Sequence, residues 1–189
     1  YYIRAYATSI AGTSYGDEFS FTTLWFSGSI GDPYQGGVVA YILQVSDAGY
    51  VSGEVHGLIA ATSDQSTSTV RWYNGFNTTT GASGNVLGTG FANTNAIILS
   101  QEEPATSYAA GLARAYAGGG FTDWYLPSKD ELNKLYINRV AIGGFEIDVY
   151  WSSSEFDSSY ALFQAFGDSF FVGEATKSDT YWVRAVRSF

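Results

Sequence analysis

The stretch Trp124-Tyr-Leu-Pro-Ser-Lys-Asp-Glu-Leu132 decides the fold of this 189-residue chain. Ser128 and Glu131 have the spacing of a capping box, in which the serine hydroxyl and the glutamate carboxylate satisfy the first free N–H groups of a helix. The sequence therefore predicts a helix over residues 128–140. The aromatic residues just before it, Trp124 and Tyr125, are expected in the core.

Apolar and turn-forming segments predict the elements on both sides of this helix. Residues 36–43 and 54–61 are typical of buried strands, and residues 182–186 of a final strand. A further helix is expected over residues 104–117, because Gly118-Gly-Gly120 then stops it.

The long polar segment over residues 64–95 is predicted to be a loop. Two helices beside an irregular, loop-rich antiparallel sheet region give an α+β fold class.

Residues 1–23 predict a strand pair that is separate from the rest of the chain. Tyr2-Ile-Arg-Ala-Tyr-Ala-Thr8 and Glu18-Phe-Ser-Phe-Thr22 alternate in polarity, and Ala11-Gly-Thr-Ser14 favours a turn between them. Two strands cannot bury a core alone, so either further strands of their domain lie outside this sequence or the hairpin packs on the residues that follow. The main domain is therefore predicted over residues 24–189.

Composition excludes several classes of partner and chemistry. The net charge of −9 argues against nucleic acid and sulfated polysaccharides, since polyanions bind through Lys and Arg. The absence of cysteine excludes disulfides and thiol chemistry. No apolar run approaches about twenty residues, so membrane insertion is not expected. No signal peptide is visible at the start, and further chain is expected upstream.

Five more strings accompany the stretch around Ser128. They are Gly36-Gly-Val-Val-Ala-Tyr41, His56-Gly-Leu-Ile-Ala60, Gly88-Thr-Gly-Phe-Ala-Asn-Thr-Asn-Ala-Ile97, Tyr150-Trp-Ser-Ser-Ser-Glu155 and Val183-Arg-Ala-Val-Arg187. In this order, over roughly residues 26–189, the chain resembles a bacterial family of C-type-lectin-like domains found at the C-terminus of collagen-like adhesins. Residues 1–16 resemble the last two strands of a fibronectin type III domain.

The resemblance implies a C-type-lectin-like, ligand-binding domain over residues 24–189. It also implies an extracellular protein, on a bacterial cell surface or a phage virion. The expected partner is a protein or glycan on a host or bacterial surface. The formylglycine-generating enzymes have a related fold but need cysteine, which this chain lacks.

The candidate ligand-binding surface lies near the C-terminus. Eleven of the forty residues 150–189 are aromatic, and aromatic side chains give large contact area at low entropic cost. The predicted binding residues are expected on one exposed face, above a buried frame of Trp151, Phe166, Val183 and Val186. These binding residues are Phe156, Asp157, Tyr160, Leu162, Phe163, Asp168, Phe170, Phe171, Val172 and Tyr181.

The distribution of asparagine suggests how this surface arose. Many members of the family are rich in Asn here, whereas all seven Asn of this chain lie at or before Asn138. Related folds are targets of diversity-generating retroelements, which mutate template adenines and so convert Asn codons into codons for residues such as Tyr, Asp, Phe and Val. A retroelement-diversified variable protein is one interpretation, and chance absence of Asn is the other.

The resemblance implies a receptor-binding or adhesion module, and two other functions are alternatives. The chain could be a structural or oligomerisation module of a fibre or surface array, with its aromatics buried against a neighbouring subunit. A glycosidase would need a carboxylate pair, and its candidates are Glu155, Asp157, Asp168, Glu174 and Asp179. No motif marks them as catalytic, and the lone His56 is expected to be structural. We therefore predict no enzyme.

No cofactor is predicted. Gln101-Glu-Glu-Pro104 has the wrong order for the calcium-dependent sugar motif of animal lectins, although a structural calcium ion remains an alternative. Arg184 is expected to point inward to a carboxylate, with Glu131 or Glu155 as candidates, because a buried charge needs a partner.

Overall fold

The computed structural model describes residues 2–20, 28–102, 105–168 and 170–189. Across these ranges no helix has both the length and the apolar character needed to cross a membrane. The helices are α1 (Gly90–Gln101), α2 (Ala109–Ala115), α3 (Lys129–Ile137) and α4 (Arg139–Ile142). The strands are β1 (Tyr2–Ser9), β2 (Gly12–Ser20), β3 (Pro33–Tyr34), β4 (Gly37–Ile42), β5 (Gly57–Ala60), β6 (Val70–Arg71), β7 (Val149–Glu155), β8 (Tyr160–Ala165), β9 (Phe171–Thr176), β10 (Thr180–Tyr181) and β11 (Val186–Ser188).

The strands form four sheets, and the α+β class is confirmed. The main domain contains a four-stranded sheet in the order β11-β5-β4-β3, a three-stranded sheet β7-β8-β9 and a small pair β10-β6. Every strand pair in these sheets is antiparallel. The specific C-type-lectin-like fold stays a prediction.

Most predicted elements are present with shorter bounds. β4 and β5 confirm the two buried strands, and they pair with each other. The final strand starts at Val186, later than predicted. The helix expected over residues 104–117 is a short 3-10 turn followed by α2, and its predicted start at Pro104 lies outside the described residues.

The capping box is confirmed. The Ser128 side chain accepts a hydrogen bond from the Glu131 N–H, and the Glu131 carboxylate accepts one from the Ser128 N–H. The carboxylate also binds the Gly88 N–H at 2.9 Å. Burial raises the pKa of Glu131, and the N–H groups of Ser128 and Gly88 oppose that rise. Glu131 therefore ties the start of α3 to the loop before α1.

Helix α1 was not predicted, and it occupies part of the supposed loop. It begins Gly-Phe-Ala-Asn-Thr-Asn, a poor helix-forming sequence. Tertiary contacts hold it instead, because the Asn93 amide binds the Gly84 carbonyl at 2.6 Å and the Thr94 hydroxyl accepts the Leu126 N–H at 3.0 Å. A Cβ at Gly90 would lie 2.2 Å from Glu131, so only glycine allows this close approach.

The predicted frame is buried. Trp151, Val183 and Val186 are fully inaccessible to solvent, and Phe166 is almost so. Trp124 and Tyr125 are also buried, as expected. The apolar core therefore lies behind the C-terminal strands, on which the candidate surface is built.

The predicted partner of Arg184 was wrong. Its Nε donates to Asp64 Oδ1 at 2.8 Å, and its guanidinium also binds the carbonyls of Ala61, Gly143 and Gly144. Neither Glu131 nor Glu155 is free to pair with it. Glu131 belongs to the capping box, and Glu155 pairs with Lys177.

Removing the buried guanidinium should destabilise the fold. We expect Arg184→Ala to lower the free energy of unfolding by about 3 kcal/mol, because it orphans the nearly buried Asp64 carboxylate. The exposed Arg71→Ala is the control and should change it by less than about 0.5 kcal/mol. Chemical denaturation measures both, and a wild-type midpoint for Arg184→Ala would contradict the burial.

The N-terminal hairpin buries none of its residues. β1 and β2 pair from Tyr2↔Ser20 to Ser9↔Gly12, and every residue in both strands is exposed. The turn lies at residues 10–11, slightly earlier than predicted. The predicted domain boundary near Leu24 lies outside the described residues.

Deleting the hairpin should leave the main domain folded. Because its described residues are all exposed, we expect a chain without residues 1–20 to keep a single cooperative thermal transition. Differential scanning calorimetry tests this directly. Loss of the transition would show that the hairpin is an integral part of the core.

Candidate binding surface

All but one of the predicted binding residues lie on the three-stranded sheet β7-β8-β9 and its two connections, and the exception, Tyr181, lies on β10. The β7–β8 turn carries Phe156 and Asp157, and the β8–β9 loop carries Asp168 and Phe170. Ser169, in the same loop, lies outside the described residues. Asp157 shapes its turn, since its carboxylate accepts the N–H groups of Ser159 at 2.7 Å and Tyr160 at 2.8 Å.

Six of the ten predicted residues are exposed. Phe156 and Phe170 each have 61% of their surface accessible, Phe171 has 57%, and Asp157, Tyr160 and Asp168 are also exposed. Leu162, Val172 and Tyr181 are only half-buried, and Phe163 is buried.

The prediction of exposure was therefore wrong for Phe163. Its ring is covered by the rings of Phe171 and Tyr181, whose centroids lie 5.7 and 5.2 Å away. It forms part of the support beneath the exposed rings.

The predicted residues also do not share one face. Successive side chains of a strand point to opposite faces of its sheet. Phe163 contacts Phe171 of the adjacent strand β9 on one face of the sheet. The next residue, Gln164, points to the other face, where it donates a hydrogen bond to Asn133 of α3 at 3.2 Å. By the same alternation Leu162 lies on the α3 side, and so does Val172, which pairs with Gln164.

The exposed residues fall into two groups at opposite ends of β8. A strand rises about 3.3 Å per residue, so the two ends of this six-residue strand lie roughly 16 Å apart. Phe156, Asp157 and Tyr160 lie at its start, and Asp168, Phe170 and Phe171 at its end. A single compact patch is therefore excluded for these positions.

The second group continues into an aromatic surface that wraps around the start of β9. Phe170 contacts Tyr136 of α3 with ring centroids 5.6 Å apart, and Phe171 contacts Phe163 on the other side. Tyr181 lies next to Phe163 and packs at a tilt against the buried Trp151, with ring centroids 4.4 Å apart. We call this set the aromatic edge; it comprises Tyr136, Phe163, Phe170, Phe171 and Tyr181.

Residues beyond the predicted set extend the surface beside the aromatic edge. Val140 and Ile147 are 90% and 85% exposed, and with Phe166 they line a pocket of about 260 Å³. The Arg139 guanidinium lies over the Tyr136 ring at 4.2 Å. These residues were not predicted because they precede the aromatic-rich segment. The sequence signal that could have identified them is the cluster of apolar residues around the end of the predicted helix.

A buried ion pair supports the turn at the other end of β8. Lys177 Nζ lies 2.6 Å from Glu155 Oε1 and donates to the carbonyls of Thr78 at 2.9 Å and Ser158 at 3.1 Å. Both side chains are buried, and the Nζ lies over the Trp72 ring. No local pattern indicates this pair, because Thr176-Lys-Ser-Asp179 is typical of a solvated turn.

Glu155 is fully engaged by this arrangement. Besides Lys177, its carboxylate accepts the N–H groups of Thr80 at 2.9 Å and Gly81 at 3.1 Å. It therefore anchors the loop before α1 to β7.

In the ranges that the structure describes, no group of three or more His, Cys, Asp or Glu side chains could hold a metal ion. His56 bonds to Glu54 at 2.8 Å and to the Phe189 carbonyl at 3.2 Å, and the Glu54 hydrogen bond raises its pKa. These contacts fit the structural role expected for this residue.

Breaking the buried pair from one side should be more harmful than replacing both partners. Lys177→Met leaves the Glu155 charge buried, so we expect it to lower the free energy of unfolding by about 3 kcal/mol or more. Lys177→Met with Glu155→Gln should recover part of the loss, because no unpaired charge remains. Urea denaturation of the three variants, including Glu155→Gln alone, measures the coupling, and strictly additive losses would contradict it.

Comparison with known proteins gives one informative neighbour. No protein-family model matches the chain, and no curated protein matches it. Among solved structures, it is similar to a fimbrial protein from Bacteroides ovatus, with a TM-score of 0.54 and 15% sequence identity. The match covers 82% of this chain and 44% of that one. At this identity the likeness shows a shared fold, and the chain spans less than half of the neighbour's length.

Proposed function

We propose that this chain is an adhesive, receptor-binding module whose main contact surface is the aromatic edge. The observation that carries the proposal is the adjacent pair Phe170 and Phe171, exposed at the start of β9. Clusters of aromatic side chains that are exposed to water carry a free-energy cost unless a partner covers them. Aromatic side chains also supply much of the binding energy at interfaces.

The two exposed rings are held in place before any partner arrives. Phe171 rests on Phe163, which packs against Tyr181, and Phe170 rests on Tyr136. Side chains fixed in this way lose little conformational entropy on binding. The aromatic edge therefore has the character of a preorganised anchor.

The proposed setting is extracellular, on a bacterial surface or a phage virion, within a C-type-lectin-like domain. Support comes from the sequence resemblance and from the shared fold with a protein described as fimbrial. The partner is a protein or glycan on a host or bacterial surface. A net charge of −9 favours a neutral or basic partner surface.

Retroelement diversification is a finer part of the same proposal. The exposed positions Phe156, Asp157, Tyr160, Asp168, Phe170 and Phe171 carry no Asn, and substitutions there would leave the buried frame intact. The test is genomic. A neighbouring reverse-transcriptase gene and a near-copy of the 3′ coding sequence that differs at adenines would support it, and their absence would contradict it.

A second candidate function is assembly with further copies of the chain. The specific observation is the exposed aliphatic group Ile137, Val140 and Ile147 beside the aromatic edge. Such a surface suits a subunit contact in a fibre. Sedimentation velocity distinguishes the two functions, because a stable oligomer that buries Phe170 favours assembly over recognition.

Truncating the aromatic pair should abolish binding without unfolding the protein. The wild-type chain, fluorescently labelled, is tested for binding to a panel of bacterial and mammalian cells and to arrayed glycans. We expect the double variant Phe170→Ala, Phe171→Ala to lose the binding that the wild type shows. Stability should change by about 1 kcal/mol or less, because both rings are largely exposed. The matched control is Phe76→Ala, since Phe76 is 77% exposed and lies outside the aromatic edge. Wild-type binding by the double variant, or its unfolding, would overturn the proposal.

A further inference from the structure

One tryptophan of the main domain differs from the others that the structure describes. Trp72, Trp124 and Trp151 are fully buried, whereas Trp182 is only half-buried. Its indole Nε1 donates to Asp148 Oδ2 at 3.1 Å, and Asp148 Oδ1 is held in turn by the Val149 N–H at 2.8 Å. The ring is thus fixed in orientation while part of it reaches solvent.

Trp182 lines a cleft of about 460 Å³. One wall is the segment of residues 63–67, and the other is formed by Gly144 and Glu146. Asp64 lines the cleft too, and it is held by Arg184 and by the Tyr150 hydroxyl at 2.8 Å. Burial, reinforced by Asp64, raises the pKa of Tyr150, so the hydroxyl stays a donor. The volume lies within the range of about 300–1,000 Å³ that is usual for small-molecule sites.

The polar groups of the cleft are mostly neutral. Ser63 and Thr67 contribute hydroxyl groups that can donate or accept. The Gln65 amide already donates to the Ser63 carbonyl and the Ser66 hydroxyl to the Ser68 carbonyl, and both keep an acceptor oxygen. The carboxylates of Asp64 and Asp148 are already engaged within the protein. The Glu146 side chain is exposed, and no described residue bonds to its carboxylate. The cleft therefore offers one available carboxylate among several neutral hydrogen-bonding groups.

We propose that this cleft binds a neutral saccharide unit. A pyranose ring has an apolar C–H face that can stack on the fixed indole, and a rim of hydroxyls that can bond to Glu146 and the residue 63–67 segment. The carboxylate of Glu146 disfavours acidic sugars. A basic peptide side chain could also lie over an indole beside a carboxylate. The free hydroxyls of Ser63 and Thr67, with the acceptor oxygens of Gln65 and Ser66, outnumber the single available charge and favour the sugar.

This site is distinct from the aromatic edge. Tyr181 and Trp182 are consecutive, and their side chains enter different parts of the core. Tyr181 belongs to the aromatic edge and packs against Trp151, whereas Trp182 packs beside Tyr150 and faces the cleft. The saccharide proposal can therefore fail or succeed independently of the adhesion proposal.

The test is a titration of the ¹⁵N-labelled chain with lactose, maltose, cellobiose, chitobiose and mannobiose. We expect at least one sugar to shift the Trp182 indole N–H resonance, with a Kd on the order of 1 mM. Glu146→Ala should weaken that binding at least about fivefold, while Glu146→Gln, which keeps an acceptor oxygen, should retain most of it. Trp182→Ala assigns the resonance and should abolish binding. If it does not fold, the exposed Glu146 variants still provide the test.

Two controls separate this site from the aromatic edge and from a cation site. Phe170→Ala with Phe171→Ala should bind the sugar like the wild type. Nα-acetyl-lysine methylamide should bind more weakly than the sugar. The proposal is overturned if no sugar of the panel moves the Trp182 resonance. It is also overturned if the lysine derivative binds more tightly and Glu146→Gln abolishes that binding.

Discussion

The buried guanidinium of Arg184 is the constraint on which the C-terminal half of the structure depends. A charge in this position must be surrounded by acceptors, since an unpaired buried charge costs several kcal/mol. Arg184 meets this need by gathering Asp64 and the carbonyls of Ala61, Gly143 and Gly144 around the last part of the chain. The same bonds fix both walls of the Trp182 cleft. A requirement of the core thus determines the shape of a surface feature.

Lys177 has a similar role at the end of the three-stranded sheet where β7 turns into β8. Its ammonium group joins Glu155 of β7 to the carbonyls of Thr78 and Ser158, which belong to a long loop and to the β7–β8 turn. The long loop is also anchored by the fully buried side chains of Trp72 and Ala82, and the buried charge adds polar contacts to this apolar packing. The exposed residues at the two ends of β8 are consequently presented by a rigid sheet whose irregular connections are tied down by polar contacts.

The sequence was informative where structure depends on neighbouring residues and uninformative where it depends on distant ones. The capping box at Ser128 and the buried strand β5 are local patterns, and both were predicted. The partner of Arg184 was not, because Glu131 and Glu155 were already taken by groups that no local pattern reveals. Helix α1 was missed because Asn93 and Thr94 fix it through tertiary contacts. The prediction that all binding residues share one face conflicts with strand geometry, because the consecutive residues Leu162 and Phe163 must point to opposite faces of the sheet.

The alternation of side chains also restricts the shape of a partner for the aromatic edge. Phe170 packs towards α3 and Phe171 packs towards Phe163 on the other face, so a flat surface laid on either face reaches only one of them. Within the described residues β9 pairs on one side with β8 and has no strand on its other side. A partner that engages both rings must therefore approach along this edge, and an extended segment placed beside β9 would meet one ring on each face. For the proposed adhesive contact, this geometry favours a protruding loop or strand over a flat partner surface.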